Sequence, residues 1–182
     1  MTIEAINKFY QIDFPHLSIV TGDGFCKAKI MLIGEAPGRE EVEQGKPFVG
    51  KAGKNLSEFL EILELKREEI FITNVVKFRP TKTSQYKTVS NRTPSEEEIK
   101  LFLPYLLKEI EVVSPQIIVT LGNTPLKSLL GANVTIGQIH GKITEYNGKK
   151  LYPLYHPAAL IYNPPLKDVY LQDVESLKKY LI

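Results

Sequence analysis

Lys29-Ile30-Met31-Leu32-Ile33-Gly34-Glu35-Ala36-Pro37-Gly38 decides the fold, because a compact apolar run passes straight into a turn holding glycines, an acid and a proline. A short continuous apolar run of this kind reads as a strand buried on both faces. Three further runs end the same way, at Thr73-Asn74-Val75-Val76-Lys77, Thr120-Leu121-Gly122 and Tyr155-His156-Pro157-Ala158-Ala159. Helical patterns lie between and after them. Leu56, Phe59, Leu60 and Leu63 share one face, as do Ile99, Phe102, Leu103, Leu106, Ile110 and Val113, and then Tyr170, Val174, Leu177 and Leu181. Strands separated by helices predict an α/β protein, a three-layer α/β/α sandwich around a mainly parallel central four-stranded sheet. Ligands of such sheets bind outside the carboxyl ends of the strands. A carboxylate, a carboxamide and an imidazole therefore converge on one crevice.

Working outward, the loop from Gly34 to Gly53 carries four glycines after the first, at 38, 45, 50 and 53. Ile70–Val76 and Gln116–Leu121 supply the second and third strands. Thr93-Pro94-Ser95-Glu96 predicts a capping box with proline at the first helical position. Asn123-Thr124-Pro125 opens a short helix, and Lys142–Tyr155 reads as a hairpin turning at Asn147-Gly148.

The 182 residues make one domain, 1–182, with enough chain to bury a full core. Hydrophobic residues at 43% and charged ones at 24% are ordinary for a globular protein. No apolar stretch approaches the roughly 20 residues that span a bilayer, so no membrane partner is expected. The N-terminus carries an acid and no basic head before an apolar run, so no signal peptide is expected. One cysteine, Cys26, rules out an internal disulfide framework and suits a reducing compartment. A cytoplasmic monomer is expected.

Net charge is only +2, but its distribution is uneven. Lys77, Arg79, Lys82, Lys87 and Arg92 lie in a stretch with no acid, and Lys46, Lys51 and Lys54 form a second basic cluster. Bases mixed with Thr, Ser, Gln and Tyr either engage phosphates without reading sequence or form a solvated loop.

The strand-end residues each admit two readings. The Gly34–Gly38 turn lacks the spacing of a dinucleotide fingerprint and the ending of a phosphate-binding P-loop. It grips a ligand carbonyl with backbone N–H groups, or it is a tight connection. Asn74 has two donors and two lone pairs to satisfy, so it brackets the N3–H and O4 edge of a uracil or caps a loop. His156, held extended by the following proline, donates to an oxygen gaining charge, acts as acid or base, or serves structure. Phe48 stacks on a flat ligand or packs in the core. His16 and His140 lie outside these segments and read as structural. Three histidines and one cysteine form no metal motif.

Together the segments resemble the uracil-DNA glycosylase superfamily, and most closely its family 4, the thermostable bacterial and archaeal type. The carriers are Gly34–Gly38, Lys46-Pro47-Phe48-Val49-Gly50-Lys51-Ala52-Gly53, Phe71–Lys77, Asn91-Arg92-Thr93-Pro94, Pro115–Gly122 and His156–Asn163, in family order. The resemblance implies excision of uracil from DNA by hydrolysis of its N-glycosidic bond, after the nucleotide is flipped from the stack. It implies that Phe48 stacks on the base and that Asn74 reads its edge. The backbone at Gly34, Glu35 and Ala36 would contact the pyrimidine, and Glu41 would line the pocket near C5. Glu35 is implied to position water or stabilise an oxocarbenium ion, and His156 to bind the departing anion. Lys82, Lys87 and Arg92 would touch phosphates, while Ala158, Leu160 and Asn163 would enter the helix behind the base.

Family 4 enzymes carry four cysteines on a [4Fe–4S] cluster, two near the N-terminus, one after the Thr-Asn-Val-Val-Lys strand and one on the next helix. Phe78 and Leu101 occupy the latter two positions here, and Cys26 matches none. No iron–sulfur cofactor and no metal site are expected, with Phe78 and Leu101 forming a small apolar cluster instead. The alternatives are a non-catalytic DNA- or uracil-binding module on the same fold, or a relative with another base preference such as hypoxanthine. The covalently trapping type is disfavoured, because Lys77–Arg92 contains no histidine.

Overall fold

The computed structural model describes residues 1–181, apart from the Ile161 side chain. The chain begins with α1 (Ile3–Asp13), β1 (Asp23–Gly24), β2 (Ile30–Gly34), α2 (Arg39–Gln44) and α3 (Gly50–Leu63). β3 (Phe71–Asn74), a small hairpin of β4 (Thr81–Thr83) and β5 (Val89–Asn91), α4 (Glu96–Val113) and β6 (Ile117–Leu121) follow. The last part comprises α5 (Asn123–Leu130), α6 (Ile136–Ile139), β7 (Thr144–Tyr146), β8 (Lys149–Leu154), α7 (Pro157–Tyr162) and α8 (Leu166–Leu177).

The central sheet runs β1-β3-β2-β6-β8-β7. Its inner four strands are the expected parallel ones, β3, β2, β6 and β8. The count of four is corrected to six, because β1 and β7 add antiparallel edges to β3 and β8. β1 is two residues long, too short for any periodicity to reveal it. β7 and β8 are the arms of the Asn147-Gly148 hairpin, with both turn residues at positive φ (49° and 74°) as such a turn requires. β4 and β5 make a separate two-stranded sheet inside the stretch read as a basic loop.

Alternate strand residues face opposite layers. Ile30, Leu32, Ile72, Ile117 and Val119 pack under α3 and α8, against Leu56, Phe59, Leu60, Tyr170 and Val174. Met31, Ile33, Phe71 and Ile118 pack under α1 and α4, against Ile6, Tyr10, Phe102, Leu106 and Ile110. Full burial of such a side chain contributes roughly 1.5–3 kcal/mol, so the two stripes hold the sandwich together.

The start of α4 differs from expectation by two residues. Ser95 is the N-cap and accepts from the Glu98 N–H (3.2 Å), while the Glu98 carboxylate accepts from the Ser95 N–H (2.7 Å). Pro94 therefore precedes the cap rather than opening the helix, because the Ser95/Glu98 pair satisfies both orphan donors reciprocally.

Leu101 also departs from expectation. It is 51% exposed, while its neighbour Phe102 is fully buried. The apolar cluster forms from aromatic rings instead: Phe78 lies 5.7 Å from Phe102, Phe14 4.6 Å from Phe102, and Tyr10 4.9 Å from Tyr105. Helical geometry explains the exchange, since Phe102 shares the inward stripe with Leu106 and Val113 whereas Leu101 is rotated off it.

Candidate active site

Register aligns the strand ends. Gly34 pairs with Asn74, and Leu121 with Leu154. β2 connects onward to β3 on one side, and β6 connects to β8 on the other, so the sheet reverses its winding between β2 and β6. A crevice opens where winding reverses. It is a cleft of about 410 Å³ whose lining includes Ala36, Glu41, Phe48, Asn74, His156 and Ala158. Five of the residues singled out for base contact or catalysis thus meet in one cavity.

Backbone chemistry makes the cleft narrow. A side chain at Gly34 would come within 2.6 Å of Phe48 Cζ and would also strike Asn74 Oδ1. Gly34 therefore lets the ring and the carboxamide close over one strand end. Gly50, at φ +59°, sits against the Glu40 carboxylate, which accepts from the Lys51 N–H (3.2 Å). That contact fixes the start of α3 beside the cleft.

Asn74 is 3% exposed. Its backbone carbonyl accepts from Lys77 Nζ (2.6 Å), and the same ammonium reaches Glu109 (2.7 Å) and the Thr73 hydroxyl. Thr73 and Tyr10 in turn donate to Glu109, at 2.9 and 3.0 Å. Three donors meet three acceptors, so this fully buried ion pair is satisfied. Burial pulls the Lys77 ammonium below the ordinary lysine range, with Glu109 opposing that shift. The grouping of Lys77 with the loop bases is corrected: its charge is neutralised inside the core, under Asn74.

His156 is the N-cap of α7, and its Nδ1 accepts from the Ala158 N–H (3.1 Å). A ring nitrogen that accepts carries no proton, so the neutral tautomer bears its hydrogen on Nε2. Burial lowers the pKa of the ring, which favours the same neutral form. Gly122, at φ +83°, lets β6 pass close beneath, since a side chain there would meet His156 Cβ at 3.1 Å.

Glu35 does not line the cleft. Its carboxylate turns toward the start of α5 and accepts from the Thr124 hydroxyl. Glu41 lines the cleft but is also engaged, accepting from the Gly38 N–H (3.0 Å) as the third residue of α2. Lys82 and Lys87 are exposed on the β4–β5 hairpin. Arg92 is held by a bidentate pair to Glu98, with both contacts at 2.7 Å. The segment after His156 is helical to Tyr162: Ala158 and, just past the helix, Asn163 are exposed, while Leu160 is half-buried against the core.

Several residues to which no role in the cleft was assigned also border it. Asn55, Asn91 and Lys51 line it, and Arg79 donates to Asn91 (2.7 Å), tying the hairpin to the cleft wall. Arg67, which donates to the carbonyls of Pro47 and Phe48, belongs to no motif of the sequence. Polar side chains on unrelated elements advertise themselves only once the fold brings them together.

Comparison with known proteins agrees with this geometry. Residues 21–177 match the family described as the uracil DNA glycosylase superfamily. A type-4 uracil-DNA glycosylase of Saccharolobus solfataricus is 45% identical over 171 residues, covering 89% of this chain and 76% of that protein. One of Sulfurisphaera tokodaii is 43% identical over 172 residues, covering 90% and 74%. The crystal structure of Pedobacter heparinus SMUG2 superposes with a TM-score of 0.55 at 15% identity, covering 98% of this chain and 83% of that one, which supports the fold alone.

Proposed function

This chain belongs to the uracil-DNA glycosylase superfamily, and from that premise we propose a monofunctional uracil-DNA glycosylase acting in base excision repair. The observation that carries the reading is a neutral His156 lining the same cleft as Asn74 and Phe48.

Each residue then has a task. Uracil, extruded from the stack, enters the cleft and stacks on Phe48. The Asn74 carboxamide brackets its N3–H and O4, and the turn from Gly34 to Ala36 contacts a ring carbonyl. The C1′–N1 bond breaks with its electron pair passing to the base, which departs as an anion. His156 donates from Nε2 to the uracil O2, where that charge collects. A preorganised donor at developing charge is often the largest catalytic term. The sugar is left as an oxocarbenium ion and captured by water, which gives its oxygen to C1′ and releases a proton that reaches the uracil anion through solvent, leaving neutral uracil and an abasic site. Glu35, its carboxylate held by Thr124 outside the cleft lining, opposes the sugar charge electrostatically through space. Glu41 walls the pocket near C5, where thymine carries a methyl group.

DNA would lie across the cleft mouth. Lys82 and Lys87 on the hairpin meet phosphates, and Ala158 and Asn163 present the exposed face of α7 to the duplex. Arg92, paired with Glu98, acts by holding the hairpin in place. The protein works as a cytoplasmic monomer.

The iron–sulfur cluster of type 4 does not fit these residues. One thiol cannot ligate it, Phe78 packs at a tilt against Phe102, and Leu101 is exposed to solvent. No step runs through such a group. Purified protein is expected to be colourless and free of stoichiometric iron by metal analysis. About four irons per chain would overturn this.

The function is tested with an oligonucleotide carrying one uracil, incubated with the enzyme and cleaved by alkali at any abasic site. Scission at that position supports the glycosylase. Tight binding without scission would instead make the protein a binding module.

A further inference from the structure

Phe48 has the backbone of a strained residue. Its φ is +52°, in the left-handed region that bulky side chains avoid, and it is 7% exposed. Such a conformation persists only where its surroundings hold it. One guanidinium does so. Arg67 Nη2 donates to the Pro47 carbonyl at 2.6 Å and Nη1 to the Phe48 carbonyl at 3.0 Å. The two peptide groups flanking the kink are thereby gripped by a single rigid fork.

The fork is itself anchored outside the loop. Arg67 starts the short turn that follows α3, and its Nε and Nη2 both reach Asp23 Oδ2 on edge strand β1, at 3.3 and 3.2 Å. Lys46 reaches the same carboxylate at 3.5 Å. β1 is bonded to β3, the strand that ends in Asn74. The bracket therefore references the Phe48 loop to the strand carrying the other base-contacting side chain.

From this geometry we infer that Arg67 is a positioning residue for base stacking. It fixes the kink that seats the Phe48 ring over Gly34 and beside Asn74, and Asp23 holds Arg67 in register. The inference rests on the reading of the cleft as a uracil pocket. Lysine does not replace arginine here, because an ammonium is a point donor without the planar spread that reaches two carbonyls and a carboxylate together.

The test is a kinetic double-mutant cycle on the uracil oligonucleotide, using single-turnover excision and equilibrium DNA binding well below the melting temperature of every variant. Arg67→Ala is expected to slow excision by about 10–100-fold, since a small misplacement remote from the chemistry can cost that much. DNA binding should stay within about twofold, because phosphate contacts are untouched. Arg67→Lys should not rescue. In a Phe48→Ala background, Arg67→Ala should cause no further loss, because its effect passes through the ring. Independent, multiplying losses would overturn the inference, as would full rescue by lysine. Should Arg67→Ala fail to fold, Asp23→Asn carries the same cycle, with a smaller loss that again vanishes without the Phe48 ring. A wild-type enzyme that leaves uracil in place would fault the reading of the cleft, whereas an active wild type with a multiplying cycle faults only Arg67.

Discussion

The cleft at the strand ends and the aromatic block between α1 and α4 lie on either side of one buried ion pair, and they are built on opposite principles. The cleft is lined by polar side chains with a glycine at the end of β2, and Phe48 is held there against its backbone preference. The aromatic block is made of packed rings: Phe14, Tyr10, Tyr105 and Phe78 surround Phe102 at ring separations between 4.6 and 6.5 Å. Lys77 joins the two, with Nζ on the Asn74 carbonyl and its partner Glu109 bonded to the Tyr10 hydroxyl. A site can sustain strained and polar geometry when the strand beneath it is tied to a well-packed block.

The sharpest way to break this division is to cut the tie. Lys77→Met leaves Glu109 buried without its cation, and losing one partner of such a pair typically costs about 3–5 kcal/mol of stability. Urea unfolding measures it, and pairing the change with Glu109→Leu should recover most of the deficit. If the single variant were as stable as the wild type, the two regions would be independent.

Next in size is His156→Ala, expected to lower single-turnover excision by about 10²–10³-fold, the range for removing one preorganised donor. DNA binding should barely change, since the cost falls on the transition state, whereas losing the side-chain cap of α7 should lower stability by about 1 kcal/mol. The ring itself should titrate below the ordinary histidine value of about 6.5, as its burial dictates. With the folded pKa depressed, the stability from the neutral ring is present above the unfolded value and lost as pH falls through the folded one. Nitrogen chemical shifts of His156, followed by NMR from neutral pH downward, check both the tautomer and the sign.

Asn74→Asp sharpens the comparison at the base edge. Removing the amide donor should cost roughly 1–3 kcal/mol in uracil excision, read from kcat/KM. A carboxylate buried there also costs stability, so the unfolding midpoint is measured beside kcat/KM to separate that cost from the lost base contact.

The smallest expected effect is on the hairpin. Changing Lys82 and Lys87 to Ala should flatten the salt dependence of DNA binding by about 0.9 logarithmic units for each phosphate no longer neutralised, with base preference intact. An unchanged slope would mark the hairpin as merely solvated.

Local pattern reveals much of this molecule, and long-range pairing accounts for what pattern misses. β2, β3 and β6 are legible because strands buried on both faces are continuous apolar runs, and β8 because the Asn147-Gly148 turn marks its start. The stripe on α4 is legible because Phe102, Leu106, Ile110 and Val113 follow helical spacing. The convergence of Asn74, Phe48 and His156 follows from where their strands end. Lys77 is hidden because its partner Glu109 lies 32 residues away, and no property of the basic stretch distinguishes a buried lysine from a solvated one. Leu160 is hidden because the proline and paired alanines after His156 do not announce a helix, and only a helix divides that segment between core and solvent. Arg67 sits among Lys66, Glu68 and Glu69, where it looks like any surface charge until the Pro47 and Phe48 carbonyls arrive beside it.

The β4–β5 hairpin carries a consequence for how this protein breathes. Its six strand residues are all exposed and pair with each other rather than with the central sheet. A lone two-stranded ribbon is marginal in water, so its order comes from the fastenings at its base, the Arg79–Asn91 bond and the Arg92–Glu98 fork. Its amides consequently exchange with solvent through a local opening far below the free energy of global unfolding. Deuterium uptake there gauges two arginine contacts, and the core stays silent while they open.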